Sequence, residues 1–456
     1  MKSRIYKSDD FESCADYFLR DQNTEYPLLD ILIRESIQNS ADAAAFEHKP
    51  VIFDIDTRNF VPSDLSRHFP EIADYLDKTD RKKCIIIADA NTNGLTGRIR
   101  RSDPITNTIP DNYLGLVAGV TESYKGPDSG GSWGLGKIIF SLLGIGLVVY
   151  YSRIRKTETS YEERLAATLF ENTTGPNTLI HQTNYRGIAM WGADDPLNPE
   201  RIIPLIDENQ DIDEILRVFS LERYAGTVTG TIVIVPCIDE EKLLHQIKKS
   251  VPENVTCPWC NSIESYMEMA MQRWYAPRLS NLEYPGPYIL ARINGKNVPN
   301  DCGMEPVFDL FQKLYNKSLY ENDDVEDGSL IYSKILTQNY DSGSNFKIGS
   351  LVWTKVSKKQ LTRPGTVSFF NPYLLFCDER DFSFSVDNQK NPPIIVYVRK
   401  PGMIITYVDK NWTKGLQDTD PDYFLFGLFR LESNAELKYE KENKTRELPK
   451  SVVLSH

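Results

Sequence analysis

Residues Tyr26 to Phe46 constrain this chain more than any other stretch. Ile33, Ile37, Ala41 and Ala44 recur at helical spacing and Pro50 lies just beyond, so the pattern predicts one amphipathic helix. Glu35, Asn39 and Asp42 stand at i, i+4 and i+7 in the run Arg34-Glu35-Ser36-Ile37-Gln38-Asn39-Ser40-Ala41-Asp42-Ala43. At ~100° per residue they fall in one narrow stripe, opposite Ile37 and Ala41. The helix therefore presents a single polar face.

That face admits two readings. A carboxylate and an amide one turn apart can divide the work of nucleotide hydrolysis, the amide oxygen ligating Mg²⁺ while the carboxylate orients or deprotonates a water. A solvated helix face gives the same pattern, since carboxylates usually lie in water.

Two further stretches bear on the choice. Ile85-Ile86-Ile87-Ala88-Asp89 ends a buried strand in an acid and runs into Ala90-Asn91-Thr92-Asn93-Gly94-Leu95-Thr96-Gly97. Such an Asp can accept a hydrogen bond from an adenine amino group, and the glycines let backbone approach a ligand closely; a plain turn is the alternative. Gly130-Gly131-Ser132-Trp133-Gly134-Leu135-Gly136-Lys137 then leads into the apolar helix Ile138 to Leu143. Glycines before a helix N-terminus expose amides and the positive dipole end, which suits a triphosphate. It is not a Walker loop, because Ile138 follows the lysine.

The surrounding pattern is mixed. Val51 to Ile55, Cys84 to Ala88, Leu147 to Tyr151, Ile188 to Trp191 and Thr231 to Val235 read as strands, with a helix around Pro70 to Asp77. This favours an α/β sandwich with mostly antiparallel pairing over alternating βαβ units. Gly94 to Gly136 is a long loop rich in Gly, Pro, Asn and Asp, and such loops are usually functional. Glu241 to Lys249 and Ile263 to Trp274 read as amphipathic helices, Val307 to Tyr315 as a helix, and Tyr288 to Ile293, Lys347 to Lys355 and Ile394 to Val398 as strands. Asn322 to Gly328 reads as a solvated acidic loop. The expected division is 1–238, a helical connector 239–280, and a second α+β domain 281–456.

With 456 residues, 41% of them hydrophobic, the chain can bury two or three cores. Its net charge of -12 argues against wrapping nucleic acid over the whole surface. Seven scattered cysteines do not form a secreted disulfide framework, and Met1 to Asp10 has no apolar core, so a cytoplasmic location is expected. The longest apolar run, Ile138 to Tyr151, falls short of the ~20 residues that span a bilayer, so no membrane association is expected.

Taken in order, the three stretches resemble the GHKL superfamily of gyrase, heat-shock chaperone, histidine kinase and MutL ATPases. Its hallmarks are E-x-x-x-N-x-x-D-A, a strand ending in a D-x-G-type turn, and G-x-x-G-x-G. The likeness covers roughly residues 25–240 and is closest to the prokaryotic MORC/MutL-like members, some of which accompany restriction or anti-phage genes. It implies an α+β chain, in which a Bergerat-type two-layer α/β sandwich that binds ATP is followed by a transducer-like α+β domain.

The resemblance also implies roles. Glu35 would be the general base, Asn39 the Mg²⁺ ligand, and Asp42 with Ala43 part of the pocket wall. Asp89 would read adenine, with Asn91, Gly94 and Leu95 close to the nucleotide. Gly131, Ser132, Trp133, Gly134, Leu135, Gly136 and Lys137 would form the lid over the phosphates. Thr231, in Gly230-Thr231-Ile232-Val233-Ile234, would bind near the adenine; Gly226-Thr227 is a competing register. Lys400, favoured over Lys355, would supply the transducer cation to the γ-phosphate. One position departs from the family: Asn91 stands two residues after the Asp, where a glycine is usual.

Glu35 is present and no histidine precedes it, which favours an Mg²⁺-dependent ATP hydrolase over a kinase. ATP would drive homodimerisation, alone or as a subunit of a larger complex. A non-catalytic scaffold and a heat-shock-type chaperone are the alternatives. Cys257-Pro258-Trp259-Cys260 has redox or zinc spacing, but no second pair of ligands accompanies it. Arg98, Arg100 and Arg101, and Arg153, Arg155 and Lys156, form two basic clusters that could touch DNA phosphate or lie solvated.

Overall fold

The computed structural model describes residues 1–7, 26–105, 109–118, 135–173, 178–251, 257–298, 305–320, 331–339, 345–362, 371–376, 391–399, 401–407, 419–432, 438–441 and 444–447. They form an α+β chain of two compact units: 1–246 with 289–297, and 247–288 with 298–456.

The first unit is built on one large sheet. Its strands are β1 (Lys2–Lys7), β2 (Val51–Asn59), β3 (Lys83–Ala90), β4 (Leu147–Arg155), β5 (Tyr161–Phe170), β6 (Tyr185–Asp195), β7 (Asn198–Ile203), β8 (Leu205–Ile206), β9 (Gly230–Val235), β10 (Ile289–Ile293) and β11 (Lys296–Val298). The order is β1-β6-β5-β4-β9-β3-β2-β10-β11, with β7 on β6 and β8 on β5. From β1 through to β2 the neighbouring strands pair antiparallel, whereas β10 runs parallel to β2, from Ile289 opposite Val51 to Ile293 opposite Ile55.

Side chains alternate across the sheet, so each strand feeds two cores. Cys84 and Ile86 of β3, Val149 and Tyr151 of β4, Leu165, Ala167 and Leu169 of β5, and Ile232 and Ile234 of β9 share one cluster. That cluster is closed by Leu65, Phe69, Ile72 and Leu76, by Trp191, and by Ile212, Ile215 and Leu216 of the helix Gln210–Val218. Trp191 is fully buried, stands edge-on to Phe69 at 5.3 Å, and donates its indole N–H to Glu71 at 2.7 Å. The side chains of opposite parity, among them Ile85, Ile87 and Asp89, face the other side.

On that other side lie the helices Leu28–Asp42 and Leu135–Leu142, packed on each other, the second setting Ile138 against Phe170 and Ile188. In chain order the helices of this unit are α1 (Leu28–Asp42), α2 (Ala73–Lys78), α3 (Leu135–Leu142), α4 (Gln210–Val218) and α5 (Glu240–Lys249), the last running across the division at residue 246. α1 buries Leu29, Leu32, Ile33, Ile37 and Ala41. It stops at Asp42, short of the Phe46 that periodicity suggests, because the next residues bond elsewhere: Asn93 N–H donates to Ala43 at 2.7 Å and Ala45 N–H to Asn91 at 2.9 Å.

The second unit holds α6 (Ile263–Tyr275), α7 (Glu305–Leu319), α8 (Tyr373–Phe376) and a five-stranded sheet of β12 (Ile331–Asn339), β13 (Asn345–Ser357), β14 (Ile394–Val398), β15 (Ile404–Tyr407) and β16 (Tyr423–Leu431). The order is β12-β13-β16-β14-β15, with β14 parallel to β16 and the other pairs antiparallel. Phe311 of α7 packs on Phe376 and Phe426 at 5.0 and 5.5 Å. A hairpin of β17 (Lys438–Lys441) and β18 (Lys444–Glu447) completes it. Among the described residues no helix is long and apolar enough to cross a membrane.

Candidate functional site

The end of β3, between β2 and β9, brings α1 and the start of β9 to one carboxylate. Ser40 Oγ donates to Asp89 Oδ2 at 2.8 Å, Thr92 Oγ1 to Oδ1 at 2.5 Å, and the Thr231 backbone N–H to Oδ1 at 2.9 Å. An ionised carboxylate offers about four acceptor positions. Among the described residues three are filled, both positions on Oδ1 among them, which leaves one position on Oδ2. Burial pushes the Asp89 carboxyl above its ordinary range, opposed by the donors from Thr92, Ser40 and Thr231. The result is a fixed, half-buried acceptor.

The approach of β9 to Asp89 depends on Gly230. A Cβ there would lie 2.0 Å from the Asp89 carbonyl oxygen, closer than real side chains come, and 3.1 Å from Oδ1. The same carbonyl accepts from Tyr224 Oη at 2.6 Å. Burial, and after it the neighbouring Asp89, holds the Tyr224 phenol well above its ordinary value, so it stays a donor. Tyr224 N–H in turn donates to Tyr151 Oη at 3.0 Å.

The turn after Asp89 is fixed to the body of the unit. Asn91 adopts φ 62°, the left-handed conformation that a glycine would supply, and its amide donates to the Pro50 carbonyl at 2.9 Å. The departure at position 91 therefore keeps the backbone geometry, because asparagine is among the few side chains that tolerate it. Thr229 Oγ1 donates to the Thr92 carbonyl at 2.6 Å.

Gly94, at φ 69°, lies so close to β4 and β9 that a Cβ would meet Ser152 Oγ at 2.6 Å. Ser152 is fully buried; its hydroxyl donates to Gly230 O at 2.7 Å and accepts from Leu95 N–H at 2.8 Å. Arg164 of β5, also buried, donates to the carbonyls of Leu95 at 2.8 Å and Gly97 at 3.0 Å. Gly94 and Leu95 thus enter the loop on a fixed path.

The polar stripe of α1 is graded in exposure: Glu35 is half-buried, while Asn39 and Asp42 are exposed. The Asn39 amide makes no hydrogen bond with other described residues, so its oxygen is available to a hard cation such as Mg²⁺, which takes oxygen ligands. Ala43 N–H caps the helix on Asn39 O at 3.1 Å. Leu135, Gly136 and Lys137 form the first turn of α3. Gly131, Ser132, Trp133 and Gly134, the rest of the expected lid, lie outside the described residues, as do Lys400 and the acidic stretch Asn322 to Gly328.

Sequence reasoning singled out Asp89 and Thr231 and missed three of the groups that hold them. Ser40 and Thr92 stand inside the quoted motifs, and a hydroxyl on the apolar side of α1 was the available signal. Tyr224 carried none, being a loop residue far along the chain. The basic clusters are largely paired within the chain: Arg98 with Asp111 at 2.7 Å, Arg100 with Asp195 at 2.9 Å, Arg153 with Glu163 at 3.6 Å, and Lys156 with Glu162 at 2.9 Å.

No family model matches the sequence, and no curated protein matches it. Among solved structures, the ATPase region of Saccharomyces cerevisiae topoisomerase II bound to ICRF-187 (dexrazoxane) is similar at 10% identity over 89% of this chain and 78% of that one, with a TM-score of 0.36. Similarity at that level does not by itself establish a family or an activity.

Proposed function

We propose that the first unit binds ATP and hydrolyses it, serving as the nucleotide-driven switch of a MORC/MutL-like protein of the GHKL type. The observation that carries this reading is the Asp89 carboxylate, held by groups from α1, the β3 turn and β9, with one acceptor position left on Oδ2. An exocyclic amine, such as N6 of adenine, is the complement of that position. The three donors fix the acceptor before the ligand arrives, so little ordering entropy is lost on binding.

On this reading Asp89 accepts from the adenine amine, and Gly94 and Leu95 bring backbone against the nucleotide. Glu35, half-buried one turn before Asn39, orients and deprotonates the attacking water. Mg²⁺, when bound, would be held by the Asn39 amide oxygen and would neutralise phosphate charge. Lys137, at the start of α3, and Lys400 contribute positive charge to the phosphates. ATP binding then favours a dimer, and hydrolysis releases it. The chain serves as a cytoplasmic subunit of an anti-phage, restriction or DNA-processing system.

Binding and turnover separate the parts of this proposal. Glu35→Ala is expected to bind Mg²⁺-ATP with little change while its turnover falls by about 10²–10⁴-fold. Turnover at the wild-type rate would remove Glu35 from the chemistry. A wild-type chain that binds no ATP would remove the proposal altogether.

A further inference from the structure

Cys257 and Cys260 bracket the short 3₁₀ turn Pro258–Cys260 that precedes α6, closed by Cys260 N–H on the Cys257 carbonyl at 3.1 Å. Side chains at i and i+3 of such a turn eclipse, and an i to i+3 turn holds its Cα atoms within the span of a disulfide. The two thiols differ in surroundings: Cys257 and Trp259 are buried, at 2% exposure each, whereas Cys260 is half-buried. Two residues on, Ser262 caps α6, whose first turn offers a positive field. A zinc centre would need two more ligands, and among the described residues no cluster of metal-ligating groups includes either cysteine.

We propose that Cys257 and Cys260 form a redox-active dithiol, with the more accessible Cys260 as the attacking sulfur and buried Cys257 as the resolving one. A peroxide such as hydrogen peroxide supplies the oxidant. The Cys260 thiolate attacks one peroxide oxygen; an S–O bond forms, the O–O bond breaks, and the leaving hydroxide takes a proton to become water. Cys257 then attacks Cys260 Sγ, giving up its proton; the S–S bond forms, the S–O bond breaks and a second water leaves. Two thiols lose two electrons and one peroxide gains them, and a small dithiol such as dithiothreitol reverses the change. Interaction between the two neighbouring thiols pushes Cys257 up and Cys260 down, and burial adds to the rise of Cys257. Cys84 and Cys237 offer the contrast: both are fully buried, and burial pushes each up to about 12.

The test uses the full chain. Reduced protein is exposed to hydrogen peroxide, alkylated, and mapped by peptide mass. The expected result is a Cys257–Cys260 disulfide, lighter by two hydrogens, reversed by dithiothreitol, with Cys84 and Cys237 unchanged. In the reduced chain, Cys260 should alkylate at neutral pH roughly tenfold or more faster than Cys84 and Cys237. Cys257→Ala should move the Cys260 alkylation midpoint to higher pH. Oxidation of Cys260 to sulfinic acid without the disulfide, stoichiometric zinc that protects both thiols, or a midpoint that Cys257→Ala leaves unmoved would each overturn the proposal. The peptide map of the wild-type chain decides even where the variant fails to fold.

Discussion

Replacing Gly230 by alanine isolates the contact on which the site geometry depends. The added Cβ would stand 2.0 Å from the Asp89 carbonyl oxygen and 2.9 Å from its carbon, both backbone atoms, where real Cβ contacts stay beyond 3.0 Å. β9 must therefore withdraw from β3 by about 1 Å at this point. It cannot do so freely, because its other edge pairs with β4 through Arg153 opposite Gly230 and Ser152 opposite Thr231. The withdrawal stretches the Thr231 N–H bond to Asp89 and presses Gly230 against β4, crowding the Ser152 bond to the Gly230 carbonyl. Overpacking of this kind costs about 1–3 kcal/mol, and a hydrogen bond to a charged group adds about 1.5–3 kcal/mol. We expect a loss of roughly 2.5–6 kcal/mol in urea unfolding at unchanged slope. ATP affinity should fall about tenfold or more, since every 1.4 kcal/mol is a factor of ten. Wild-type stability together with wild-type affinity would refute the reasoning.

Two further outcomes follow from the same cluster. Tyr224→Phe removes the donor to the Asp89 carbonyl and should cost about 0.5–1.5 kcal/mol of stability, with a raised KM for ATP and an unchanged kcat; a kcat effect alone would count against a positioning role. The raised Asp89 pKa has a defined sign: just above the ordinary 3.8, the folded chain holds a proton that the unfolded chain has lost. Stability conferred at this site should thus fall as pH rises from 3.8 to the folded value, and level off above it. ATP affinity, which needs the ionised acceptor, should weaken on acidification through that raised value. Comparing the wild type with Asp89→Asn by calorimetry across pH checks both, because the variant should lack both steps.

The polar stripe of α1 was legible because a 3.6-residue period is a local property, and the apolar strands were legible for the same reason. What remained hidden depends on pairing. Nothing in Ile289 to Ile293 says that it lies parallel to β2, since a short apolar run carries no record of its partner. The end of α1 was overestimated because Ala44 keeps the apolar period, yet the turn after Asp89 captures Ala43 and Ala45 by hydrogen bonds. Asp89 and Thr231 could be proposed from a motif, but their contact joins residues 142 positions apart. Ser40 was overlooked because a helical serine more often bonds its own backbone. The ion pairing of the two basic clusters was equally hidden, because acids distant in sequence, such as Asp195, fold onto them.

The central claim is that Asp89 is a prearranged acceptor for the adenine amine. Guanine presents a carbonyl oxygen where adenine presents that amine, so the carboxylate should attract one base and repel the other. Calorimetric titration of ATP and GTP into the wild type and Asp89→Asn is the direct test. The wild type should prefer ATP by about ten- to a hundredfold, and the variant should lose ATP affinity and most of the preference. Wild-type ATP affinity in Asp89→Asn would contradict it.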